Sequence, residues 1–173
     1  GSLALGLRLG MGALVIGWQP GFVLGAKDGE YALFNVLRDK SPLLERCARP
    51  EKPLLLYEYE PSPYCRKVRE ACALLDLTVT MLPCPGARKG FAQELGERGG
   101  KMQVPYLVDP NAPARGGAAK QEGTVLELYE SDEIIDHLFD AYGPGAERVP
   151  WALRGPFAFW TCALAALARG LAG

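Results

Sequence analysis

Between residues 50 and 142 the apolar positions switch period in a regular alternation. Residues 54–59 (LLLYEY) are a β-rich run that Pro61-Ser62-Pro63 breaks, after which Val68, Ala71, Cys72 and Leu75 recur at helical spacing. A strand leading into a helix is the expectation. Residues 78–82 (TVTML) alternate as a second strand, 91–98 predict a short helix, and 104–108 (VPYLV) predict a third strand entered through a proline. After an Asn/Pro/Gly-rich loop over 109–123, residues 124–129 (TVLELY) predict a fourth strand. The best-marked helix follows. Ser131 is its expected N-cap, and Asp132 and Glu133 put negative charge in the positive first turn. Ile134, Ile135, Leu138, Phe139 and Tyr142 form one apolar stripe, and Gly143 stops the helix.

The predicted order is β-α-β-α-β-β-α, an α/β fold built on a small mixed four-stranded sheet covered by helices. The first βαβ unit should cross over right-handed and pair in parallel, and the last two strands, joined without a helix, should form a hairpin. The organisation expected is an apolar N-terminal extension over 1–49, a folded domain over 50–143, and a C-terminal extension over 144–173 with a short apolar helix. The uncharged run 9–26 (LGMGALVIGWQPGFVLGA) reaches the minimum length for a membrane span, but its glycines and Pro20 make a poor helix. It reads as an apolar loop or short elements packed on a neighbouring surface. The apolar stretch 156–168 (PFAFWTCALAALA) is too short to cross a bilayer, so no transmembrane helix is expected.

Composition narrows the function classes. The chain has 173 residues, 49% hydrophobic and 23% charged, with 19 basic and 20 acidic side chains. That balance gives no basic footprint for nucleic acid and no polybasic membrane patch. Cys47, Cys65, Cys72, Cys84 and Cys162 are scattered, without the paired spacing of a zinc site or the density of a disulfide scaffold, so a reducing compartment and no metal are expected. The chain starts Gly1-Ser2 without a methionine or signal-peptide pattern and is expected to be a processed form or part of a longer chain.

Three stretches carry the chemistry: Tyr57-Glu58-Tyr59-Glu60-Pro61-Ser62-Pro63-Tyr64-Cys65-Arg66-Lys67-Val68-Arg69-Glu70, the run 99–111 (GGKMQVPYLVDPN), and Tyr129-Glu130-Ser131-Asp132. Together they resemble the thioredoxin-like fold of glutaredoxins and the N-terminal domain of glutathione transferases. They are most similar to the plastid proteins of plants and algae with tandem domains of that kind. The resemblance implies glutathione as ligand, a chloroplast location on the stromal side, and a nucleophile position at the N-terminus of the first helix. There backbone N–H groups and the helix dipole favour a thiolate. Here that position is Ser62, and only Cys65 of the usual Cys-x-x-Cys remains. A serine hydroxyl cannot exchange with a disulfide, so dithiol oxidoreductase activity is not expected. In several glutathione-transferase classes a serine there donates to the glutathione sulfur; Ser62 also fits as a plain N-cap ahead of Pro63.

The resemblance further implies a cis Val104-Pro105 peptide whose Val104 backbone pairs with the cysteinyl backbone of glutathione. It places the γ-glutamyl carboxylate at Ser131 and the γ-glutamyl ammonium at Glu130, with Lys101 attracting the glycyl carboxylate. A capped helix and an exposed lysine are the plainer readings of those residues. His137 lies beside the apolar stripe with no nucleophile near it, Cys72 reads as core, and Cys84 has no assigned role. Arg66, Lys67 and Arg69 read as a solvated face or as attraction for an anion.

Two functions remain open. One is a glutathione-binding domain whose Ser62 and Cys65 form the catalytic end, activating the thiol for transfer or deglutathionylation. Its weakness is that only 31 residues follow Tyr142, too few for the helical second domain of a transferase. The other is a non-catalytic scaffold subunit of a plastid membrane complex such as a photosystem assembly. In that reading protein partners dock on 1–49 and 151–173 through Trp18, Phe22, Trp151, Phe157, Phe159 and Trp160.

Overall fold

The computed structural model describes residues 12–22, 37–86, 89–112 and 125–154. Along them run β1 (Gln19–Phe22), β2 (Leu37–Lys40), β3 (Leu54–Glu58), α1 (Pro63–Leu74), β4 (Val79–Pro83), α2 (Ala92–Gly99), β5 (Tyr106–Asp109), β6 (Leu126–Leu128) and α3 (Ser131–Tyr142). Single helical turns lie at Ala13–Val15, Leu44–Arg46, Ala146–Arg148 and Trp151–Leu153. The apolar stretch 156–168 expected as a short helix, with its aromatics and Cys162, lies outside the described residues.

The main sheet has the order β4-β3-β5-β6. β3 and β4 pair in parallel, from Leu54 opposite Val79 to Glu58 opposite Pro83. β5 runs antiparallel to β3, and β6 antiparallel to β5 as a hairpin. This is the mixed four-stranded sheet with three helices that the periodicity predicts. Strand alternation sorts the core into two clusters. Leu54 and Leu56 face α1 and α3 together with Leu107, while Tyr57, Tyr106 and Val108 face α2 through Ala92 and Leu95. Phe139 of α3 is fully buried in the larger cluster, a transfer worth about 1.5–3 kcal/mol. Gly143 ends α3 where a Cβ would meet the Phe139 backbone carbonyl oxygen at 2.9 Å, so the turn needs a residue without a side chain.

Most element ends differ from expectation by a residue or two, and two of them bear on the candidate site. β5 begins at Tyr106 and not Val104, since Pro105 has no N–H to give the ladder. The N-cap of α3 is Glu130, in extended conformation, whose carbonyl accepts from Ile134 N–H at 2.8 Å. Ser131 is therefore the first helical residue and makes no capping bond.

The N-terminal segment is not merely a loop. β1 and β2 pair antiparallel, and Ile16 and Trp18 are buried in the main core. The last turn of a helix leaves carbonyls without partners, and at the end of α1 this segment supplies donors. Trp18 Nε1 donates to Leu74 O at 2.9 Å and Arg49 Nη1 to Leu75 O at 2.6 Å. Trp18, expected as a docking residue, thus packs on its own domain. Leu14 and Trp151 are exposed, at 91% and 70%. No helix among the described residues is long and apolar enough to cross a membrane.

Candidate functional site

Sheet polarity determines which residues can meet. Because β5 runs antiparallel to β3 and β6 antiparallel to β5, the loop after β3, the segment before β5 and the turn after β6 all lie at one end of the sheet. Those connections carry Ser62, Val104-Pro105 and Glu130-Ser131. Side chains tie them together. Gln103 Nε2 donates to Glu130 Oε1 at 3.4 Å, and Lys67 Nζ of α1 reaches Asp132 Oδ1 of α3 at 2.6 Å. Lys67 is buried beside that partner, so it is not part of a solvated face. The Val104-Pro105 peptide is cis.

Ser62 caps α1, with Pro63 at the first helical position. Its Oγ accepts from Cys65 N–H at 3.5 Å, the long end of a hydrogen bond. Burial pushes the Cys65 thiol up from its ordinary value of 9.0, and the Tyr59 N–H and the Ser62 hydroxyl both work against that shift. Tyr59 N donates to Cys65 Sγ at 3.4 Å. Cys65, expected at the catalytic end, is fully buried, and its raised pKa makes it a poor thiolate at neutral pH. Cys72 is in the core as expected, with burial pushing its thiol to about 12. Cys47, Cys65, Cys72 and Cys84 are all free thiols.

Ser131 is 7% exposed at the first turn of α3, whose leading N–H groups have no intrahelical partners. Lys101 lies at the rim with its Nζ 4.3 Å from the Tyr129 ring centroid, while Tyr129 OH donates to the Lys101 carbonyl at 2.8 Å. Among the described residues no group of His, Cys, Asp and Glu could hold a metal ion.

At the opposite end of the sheet is a polar cluster that the sequence reading missed. Asp109 ends β5 fully buried. Its Oδ2 lies 2.8 Å from His137 Nε2 and accepts from Tyr142 OH at 2.7 Å; its Oδ1 accepts from Asn111 N and Nδ2 at 2.8 and 3.0 Å. Burial alone would raise this carboxyl, but the bonds from His137, Tyr142 and Asn111 overcome it and lower the pKa to about 2. Asn111 also bonds both backbone groups of Lys52, so the cluster joins β5, α3 and the approach to β3. One signal was available in the sequence: Asp-Pro-Asn is a turn in which the Asp side chain accepts the N–H two residues on.

Residues 56–146 match the family described as "Glutathione S-transferase, N-terminal domain", more than half of the chain. No curated protein matches the chain. Among solved structures it is similar to Bombyx mori glutathione transferase BmGSTD1, at 24% identity and a TM-score of 0.42, over 56% of this chain and 39% of that one. A second structure of that transferase, in complex with GTT, gives 22% identity and a TM-score of 0.38 with the same coverage. The chain thus spans well under half the length of these solved relatives.

Proposed function

The chain belongs to the glutathione S-transferase N-terminal domain family, and from that premise we propose that it binds glutathione at the sheet end where Ser62, Val104-Pro105 and Glu130-Ser131 meet. The observation that carries this reading is their convergence: three stretches far apart in sequence are placed together by the strand directions. Each offers what one part of the tripeptide needs. The leading N–H groups at the start of α3, at Ser131 and Asp132, suit the γ-glutamyl carboxylate, and the Glu130 carboxylate suits its ammonium. Val104 offers backbone to the cysteinyl unit, and Lys101 supplies a positive rim for the glycyl carboxylate. Ser62, at the start of α1, supplies the donor to the thiol sulfur in this reading. A hydrogen bond to a charged group is worth about 1.5–3 kcal/mol, which corresponds to a thiol pKa lower by about one to two units. The activated thiol then serves transfer or deglutathionylation, and dithiol exchange is not among its reactions because Ser62 cannot form a thiolate. Calorimetric titration with millimolar glutathione should give saturable heat; its absence would sink the binding reading.

A second reading, a non-catalytic interaction subunit of a plastid membrane complex, draws on the exposure of Leu14 and Trp151. Size-exclusion of native extract decides it: a free species of 18.7 kDa counts against that role.

A further inference from the structure

Glu58 is the last residue of β3, immediately before the loop that carries Ser62. Strand alternation puts it on the face of Leu54 and Leu56, under α1. It is 5% exposed, and its Oε2 accepts no hydrogen bond from any described residue. Arg69 Nη1 is 3.3 Å from that oxygen, close enough for an ion pair, yet without the alignment of a hydrogen bond. The same guanidinium donates through Nη2 to the Glu60 carbonyl at 3.1 Å, which fixes it between the strand end and the loop. Cys65 and Arg69 stand four residues apart on one row of α1, so the carboxylate that meets Arg69 also lies beside the helix turn that Ser62 caps. The titratable groups facing Glu58 are Arg69 and Cys65 from α1, Glu60 from the loop, and Cys84 from the segment after β4. Buried carboxylates normally collect donors, since an unsatisfied one is costly. This one keeps an acceptor lone pair vacant next to the first turn of a helix.

Resting on the reading that glutathione binds at this end, we propose that Glu58 accepts the thiol proton of bound glutathione, directly or through one water. In that step the S–H bond breaks and its electron pair stays on sulfur. The proton passes to Glu58 Oε2, leaving a thiolate and a neutral carboxyl with no change in net charge. The thiolate gains the Ser62 hydroxyl and the positive end of α1, and the vacant acceptor becomes an O–H donor. Burial, with the nearby Glu60, raises Glu58 from its ordinary value of 4.5 against the opposing pull of Arg69, which makes it a stronger base than an exposed carboxylate.

The test counts protons and thiolate separately. Calorimetry in two buffers of different ionisation enthalpy gives the protons released on binding glutathione, and ultraviolet thiolate absorbance gives the thiolate formed. Wild type at neutral pH is expected to form thiolate with far fewer protons released than thiolates made, and Glu58→Gln to release about one proton per thiolate. One proton released per thiolate in wild type overturns the proposal, and so does the same ratio in both proteins. The wild-type count decides alone if Glu58→Gln does not fold. Absence of binding heat would overturn the binding reading itself, whereas binding with full proton release overturns only the role of Glu58.

Discussion

Two buried carboxylates mark opposite ends of one sheet. Asp109 closes β5 and Glu58 closes the antiparallel neighbour β3, so they face away from each other across the same core. Asp109 accepts from His137, Tyr142 and Asn111, whereas one oxygen of Glu58 accepts from no described residue. The same burial therefore has opposite results: Asp109 is held down at about 2 and Glu58 is pushed above its ordinary value. The saturated end is a lock that joins strand, helix and turn. The unsaturated end is where the proposed binding residues gather, with a long cap bond at Ser62. A polar group that is fully satisfied stabilises; one that is not must be explained by what it waits for.

The largest test of that contrast is Asp109→Ala. Removing the shared acceptor strands the buried Tyr142 hydroxyl and the half-buried His137 ring, while Asn111 can turn to water, and a loss of about 2–4 kcal/mol in urea unfolding is expected. A loss below about 1 kcal/mol would mean that the cluster is not a lock. Acid sharpens the contrast. With a folded pKa of about 2 against an ordinary 3.8, Asp109 contributes stability that is present above 3.8 and lost as pH falls towards 2. The deficit of Asp109→Ala should therefore shrink over that window.

Next comes Ser62→Ala, at the loose end. Loss of a donor to thiolate should raise the bound thiol pKa by about one to two units and so cut the thiolate fraction by about 8- to 25-fold at pH 7, read from thiolate absorbance. Stability should fall by only about 0.5–1 kcal/mol, because the cap bond it removes is already long. Unchanged absorbance would reduce Ser62 to a cap.

What the chain discloses before folding follows the same division. Strand and helix order could be read because apolar residues of β3, α1 and α3 are periodic, and the three motifs could be read because each is contiguous. Of the Asp109 lock only the local Asp-Pro-Asn turn was legible. Its helix donors His137 and Tyr142 are 28 and 33 positions away, and a lone histidine beside an apolar stripe gives no sign of its acceptor. Trp18 was hidden differently: in a Gly-rich run without periodicity nothing indicated that its indole N–H would serve the carbonyl of Leu74. Glu58 was in plain view within LLLYEY, but only burial reveals that its carboxylate lacks a donor.

Glu58→Gln should move stability much less than Asp109→Ala and in the other direction. A raised carboxyl favours the fold below its unfolded pKa of 4.5, and that contribution is lost as pH rises through the higher folded value. At neutral pH the ionised side chain is thus a cost, and the neutral amide should leave the protein unchanged or more stable by up to about 1 kcal/mol. The gain should fade as pH drops towards 4.5. A clear loss of stability at neutral pH would show that the Arg69 ion pair holds the loop and that Glu58 is a second lock.

The smallest effect is expected at Lys101, exposed at the rim with its ammonium over Tyr129. An exposed cation–π contact or ion pair is worth about 0.5 kcal/mol, so Lys101→Ala should weaken glutathione by no more than about threefold. The difference should vanish at high salt, since the interaction with a glycyl carboxylate is screened there. A larger, salt-independent loss would place Lys101 in direct, desolvated contact with the ligand and shift the boundary of the loose end outward to the α2–β5 connection.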